Sequence, residues 1–105
     1  MIDTDHSLLI EEDAVMEAVN ERTRANVISH VEYLTGQRFD VKKPASRVHE
    51  DGGILIIDGI QAAGHIPVDV KAFGVDIYIS GSYKWLLGPM GSAVTFIKKE
   101  LVDDL

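Results

Sequence analysis

The sequence predicts an α/β fold, a three-layer arrangement with a mostly parallel sheet and flanking helices. Three observations carry this. Short apolar runs recur at residues 25–29, 54–58, 75–80 and 92–97. Helical patterns separate the first three, and alternation of this kind builds a layered sheet with right-handed crossovers. The run Ile54-Leu-Ile-Ile is apolar at every position, which suits a strand covered on both faces.

Residues 11–22 place Val15, Met16 and Val19 at helical spacing, with Glu11, Glu12 and Asp13 in a first turn whose dipole favours acid. Ala25–Ser29 is short and partly β-branched, a strand pattern. Residues 31–38 are polar, contain Gly36 and read as a loop. A second helix runs from an Asp40 cap to about Asp51 and ends at Gly52-Gly53. Pro44 would cost such a helix about 3 kcal/mol in its interior, so the alternative is a helix that starts at Pro44. Ile54–Asp58 is the second strand. A short helix over 68–73, with Asp69 in its first turn, leads to a strand over 75–80. Gly88-Pro89 turns the chain before the last strand at 92–97. Residues 98–105 begin a further helix. No linker, internal repeat or low-complexity segment interrupts this order.

With 105 residues the chain is at most one domain, and 46% apolar with 26% charged residues reads as soluble and globular. The formal charge of -7 repels phosphate backbones and argues against nucleic-acid binding. No apolar run approaches the roughly 20 residues of a membrane span. The first seven residues lack the basic-then-apolar order of a signal peptide. The absence of cysteine removes disulfides, thiolate metal sites and a cysteine nucleophile, and is compatible with a cytoplasmic setting. His6, His30, His49 and His65 show no short ligand spacing, and Asp3 with Asp5 is too little for a calcium loop, so no metal site is expected.

The chemistry concentrates beyond two strand ends, where ligands of open α/β sheets bind. Lys84 stands among Tyr83, Trp85, Leu86 and Leu87, apolar company for a side chain that ionises near pKa 10.4. Desolvation or a nearby positive charge would free its amine for imine formation. The competing reading is an amphipathic stem laid over apolar surface. Asp58 ends an apolar strand, either as a turn cap or as a carboxylate for a cationic ring nitrogen. Gln61 can donate or accept beside such a ring. Ser80, Ser82 and Tyr83 offer hydroxyls, and Gly81 allows close backbone approach to a phosphate. A lysine for a Schiff base and a carboxylate for a pyridine nitrogen are together what pyridoxal phosphate chemistry requires.

The combination resembles a family. Val31-Glu-Tyr33-Leu-Thr35-Gly36-Gln37 is similar to the kynureninase loop between strand and helix. Asp58-Gly-Ile-Gln61-Ala-Ala-Gly64 resembles the Asp-x-x-Gln/His-x-x-Gly element of class V aminotransferases, and Ser82-Tyr83-Lys84-Trp85-Leu86 with Gly88-Pro89-x-Gly91 resembles their lysine segment. That class of pyridoxal-phosphate enzymes, with the aspartate aminotransferase fold, includes cysteine desulfurases, kynureninases and isopenicillin-N-epimerase-like proteins.

The resemblance implies an enzyme acting on an amino-acid substrate through a Schiff base on Lys84, which would also move protons at the substrate's alpha carbon. Asp58 would bind the pyridine nitrogen and Gln61 would lie beside the ring 3-hydroxyl. Tyr83 and Ser82 would contact the phosphate, and Tyr33 or Thr35 would approach the cofactor from its loop. It implies a homodimer for full-length members and a cytoplasmic setting. Family members are several times longer, so residues 1–105 are expected to be a partial large domain. The amino-terminal part, with the ring-stacking residue and much of the phosphate cup, and the carboxy-terminal domain, with the arginine for the substrate carboxylate, would be missing. Tyr83 stands where desulfurases carry histidine, and Pro44 departs from the family's helix. The alternatives to an active enzyme are a non-catalytic fragment that folds or associates without cofactor, and an acidic interaction domain using the Tyr33 and Trp85 regions.

Overall fold

The computed structural model describes residues 8–103. The expectations for Asp3, Asp5, His6 and the first seven residues, and for the end of the last helix, lie outside them. The elements are α1 (Glu12–Glu17), β1 (Ala25–Ser29), α2 (Lys42–Glu50), β2 (Ile54–Asp58), α3 (Val70–Phe73), β3 (Ile77–Gly81), β4 (Ala93–Ile97) and α4 (Lys99–Asp103). The strands form one sheet in the order β1-β2-β3-β4, parallel except for the β3–β4 pair. The expected α/β architecture stands, with a mixed four-stranded sheet and flanking helices.

Register sorts the side chains. The cross-strand row Ile28–Ile57–Tyr78–Phe96 faces the helices, and Leu55, Ile57 and Val75 there are fully buried against Phe39, Val41 and Ala45. The alternating row Val27–Ile56–Ile77–Ile97 lies on the other face. There β2 is only half-buried at Ile54 and Ile56, so the described residues cover one face where its all-apolar sequence anticipates two.

Four of the boundaries that differ from the sequence reading have a local setting. Helix α1 stops at Glu17 rather than Arg22, because Asn20 and Thr23 bond the backbone locally: Asn20 N–H donates to Thr23 Oγ1 and Arg22 N–H to Asn20 Oδ1. Helix α2 starts upstream of Pro44, yet the proline lies in its first turn, where amides lack intrahelical partners. Asp40 still serves that end by accepting from Lys42 N–H at 3.2 Å, although Val41 is the boundary residue. Helix α3 shortens to begin after Asp69, whose Oδ1 accepts from Lys71 and Ala72 N–H. Val75 and Asp76 precede β3, although the Asp76 backbone still bonds Leu55 O and Lys98 N–H in line with the sheet and its carboxylate adds Leu55 N–H and Lys98 Nζ at this corner.

Candidate active site

The parallel strands β1, β2 and β3 deliver three segments to one end of the sheet. Strand β2 ends on Asp58, opposite Ser29 on one side and Ile79 on the other. The Asp58 carbonyl accepts from His30 N–H at 2.9 Å, which ties the loop after β1 to the aspartate. Its side chain is exposed, and Oδ1 accepts from Ile60 N–H at 2.9 Å, an Asx turn that aims the carboxylate. Gly59 follows because nothing larger fits: a Cβ there would stand 2.0 Å from the Tyr78 ring.

The lysine segment is a tight excursion between β3 and β4. Leu87 N–H donates to Lys84 O at 3.1 Å and Gly88 N–H to Ser82 O at 2.8 Å. Leu87 holds a left-handed backbone, φ 55°, which costs a non-glycine residue energy and marks this loop as built for its shape. Ser82 closes the base of the loop. Its N–H donates to Ser92 O, and its hydroxyl is bonded to Pro89 O and to the Ser92 hydroxyl. Lys84 is half-buried, and among the described residues its ammonium has no ion-pair partner. It lines an open cleft of about 330 Å³ with Gln61, Trp85 and Leu87.

Trp85 brings the lysine segment to the Asp58 segment. Its indole Nε1–H donates to Gln61 Oε1 at 3.2 Å, and its ring meets His65 at a centroid distance of 4.2 Å. Gly64, at φ 86°, lets the chain pass so close that an added Cβ would sit 2.6 Å from the Trp85 carbonyl oxygen. Two of the three sequence motifs are therefore in direct contact. The third, the loop over 31–38, leaves the same end of the sheet, closed by a Val31–Arg38 bridge, with Tyr33 strongly exposed. The Thr35 hydroxyl accepts from Gln37 N–H within that loop.

Of the expected hydroxyls, Tyr83 is exposed, whereas Ser80 is buried and donates to Gly81 O. Ser80 therefore faces the core rather than a ligand.

The sequence assigns no part in this site to His30, Tyr78 and His65, and marks Trp85 only as part of the lysine segment. His30 is almost fully buried; its backbone N–H is bonded to Asp58 O and its Nδ1 lies 3.0 Å from Tyr78 Oη. Burial, with the Arg38 charge adding to it, lowers the His30 pKa, so the ring is held neutral. Burial and then the negative Asp58 push the Tyr78 hydroxyl up to about 12, so it stays protonated and can donate to the imidazole. The available signal was parity: Tyr78 shares the buried face of its strand with Ser80, and His30 directly follows β1.

The Aminotransferase class-V family model matches residues 1–105. The chain belongs to the class V aminotransferase family. It is 40% identical over 87 residues to the uncharacterized aminotransferase YcbU of Bacillus subtilis (strain 168), covering 83% of this chain and 24% of that protein. The cysteine desulfurase CsdA of Escherichia coli superposes with a TM-score of 0.78 at 30% identity, over 85% of this chain and 22% of that one. The apo cysteine desulfurase of Thermococcus onnurineus NA1 shares the fold, with a TM-score of 0.85 at 24% identity over 97% of this chain and 25% of its own. The chain thus spans about a quarter of the length of the relatives it matches. Members of the family use pyridoxal phosphate, act on amino-acid substrates and often form dimers. Among the described residues no helix is long and apolar enough to cross a membrane.

Proposed function

We propose that this chain is the central part of the large, cofactor-binding domain of a pyridoxal-phosphate enzyme acting on an amino acid, with desulfurase, kynureninase-like or transaminase chemistry. The observation that carries the reading is the Trp85–Gln61 contact, which joins the lysine segment to the segment begun by Asp58 at one end of the sheet. The donor set fits the group: an amine and an amide in one cleft, and an exposed carboxylate held by its own turn three residues before that amide. When bound, pyridoxal phosphate supplies an aldehyde that condenses with an amine and a ring that accepts electrons from the adjoining carbon.

In this reading Lys84 supplies the amine and then carries protons at the substrate's alpha carbon. Asp58 holds a proton on the ring nitrogen through its charge. Gln61 hydrogen-bonds the ring oxygen. Tyr83 contacts the phosphate, and Ser82 shares that contact or holds the loop that presents it, since its hydroxyl is already bonded to Pro89 O. Tyr33 and Thr35 approach from the loop after β1. A homodimer of the longer enzyme and a cytoplasmic setting belong to the same proposal.

A second reading, a folded but chemically idle segment, draws on the short span relative to relatives and on the uncovered sheet face. Pyridoxal phosphate titration of the purified chain, borohydride reduction and peptide mass mapping separate the two. The proposal expects an adduct confined to Lys84 and abolished in Lys84→Ala. Labelling scattered over surface lysines, or none, overturns it in favour of the idle segment.

A further inference from the structure

We infer that Trp85 is a positioning residue that fixes which end of the Gln61 amide faces the cofactor, an inference that rests on the pyridoxal-phosphate reading above. The two ends of a glutamine amide have nearly the same shape and opposite hydrogen-bond polarity, so nothing steric selects between them. An indole N–H is a donor only. Its approach to Oε1 at 3.2 Å therefore accepts one orientation, because the flipped amide would set N–H against N–H. With Oε1 occupied, Nε2 is the end left for a ligand. Gln61 then presents a donor, which suits a ring oxygen that carries negative charge.

The indole is itself held. The His65 ring lies against it at 4.2 Å and 57°, and Gly64 admits the Trp85 carbonyl to a distance that no side chain would permit. Trp85 directly follows Lys84, so the residue that polarises Gln61 also ties that amide to the lysine. The arrangement couples the ring-oxygen contact to the position of the amine.

A donor on the ring oxygen stabilises its anionic form and weakens the hold of the cofactor–lysine linkage on its proton. Trp85→Phe keeps an aromatic ring for His65 and removes the N–H. The pH at which the bound cofactor's absorbance changes should then rise by about one unit, the equivalent of one hydrogen bond. Gln61→Leu should give a similar rise, and Trp85→Phe made in that background should add nothing, because both act through one amide. The cofactor-free chain supplies a separate readout. Its single tryptophan gives one indole N–H resonance, which should move and exchange faster with solvent in Gln61→Leu. An unmoved resonance overturns the contact and the inference with it. A Lys84 adduct whose titration is the same in wild type and Trp85→Phe, or equal added shifts in the double variant, overturns the inference alone. A wild-type chain with no Lys84 adduct overturns the functional reading on which the inference stands, whatever the resonance does.

Discussion

Asp76→Asn tests the corner of the sheet farthest along the strands from Lys84. Asp76 is buried and accepts from three groups: Leu55 N–H at 2.7 Å, His49 Nε2 at 2.7 Å and Lys98 Nζ at 2.6 Å. One carboxylate thus fastens α2, β2 and the residue after β4. A hydrogen bond to a charged group is worth about 1.5–3 kcal/mol, while solvent screening reduces partly exposed ion pairs to about 1 kcal/mol or less. His49 and Lys98 are each about a third exposed, so the buried Leu55 amide contributes most. Asparagine keeps one acceptor and loses the charge, so we expect a loss of about 2–3 kcal/mol at neutral pH. Burial raises the Asp76 pKa, but the Leu55 amide, Lys98 and His49 outweigh it and hold the carboxyl below its usual range. A folded-state pKa that is depressed contributes stability above the unfolded value, near 3.9, and loses it as pH falls through the folded one. The gap between wild type and variant should therefore be full at neutral pH and close in acid. Urea unfolding followed by Trp85 emission at a series of pH values measures both. A loss under about 1 kcal/mol at neutral pH, or a gap that does not narrow as the solution is acidified, refutes the reasoning.

Two further substitutions probe the active-site end. Gly64→Ala forces a side chain onto φ 86° and onto the Trp85 carbonyl, so a loss of at least about 2 kcal/mol is expected, with faster amide exchange across the Lys84 loop; unchanged exchange there would separate the two segments energetically. Tyr78→Phe preserves the ring beneath Gly59 but strands the buried His30 Nδ1, which should cost about 1–2 kcal/mol in denaturant unfolding; a neutral result would mean that His30 finds water instead.

Much of this architecture was legible because it depends on local pattern. Ile54–Asp58 reads as a strand from its composition alone, and a short helix is legible over 68–73, although Asp69 caps α3 rather than standing in its first turn. What failed were boundaries decided by side chains reaching across the chain. Nothing local says that the Asp76 side chain would bond residues 21 and 22 positions away, while its backbone keeps the register of the sheet. The same holds at the site. Asp58, Gln61 and Lys84 stood out as reactive types near strand ends. His30, Tyr78 and His65 act through contacts of long sequence separation, such as the 48 positions between His30 and Tyr78, and only packing reveals them. Ser82 shows the converse: a hydroxyl that suits a phosphate by type is engaged by its own loop.

The uncovered sheet face has a physical consequence that can be measured. The row Val27–Ile56–Ile77–Ile97 crosses all four strands without a charge, and Val27 and Ile79 on that face remain 65% and 41% exposed. A contiguous apolar strip of this kind drives association, because covering it removes apolar area from water at about 25 cal/mol per Å². The chain should therefore self-associate with rising concentration in sedimentation or light scattering. Val27→Lys with Ile79→Lys should return it to monomer. Both positions point away from the core, so unfolding free energy should shift by only about 0.5 kcal/mol per site. If the lysine pair associates as strongly as wild type, the strip is not the contact. The exposed apolar residues of the lysine loop, Leu87 and Met90, then become the surface responsible. The two cases differ in a further way: association through the loop should compete with cofactor loading at Lys84, whereas association through the sheet face should leave it unaffected.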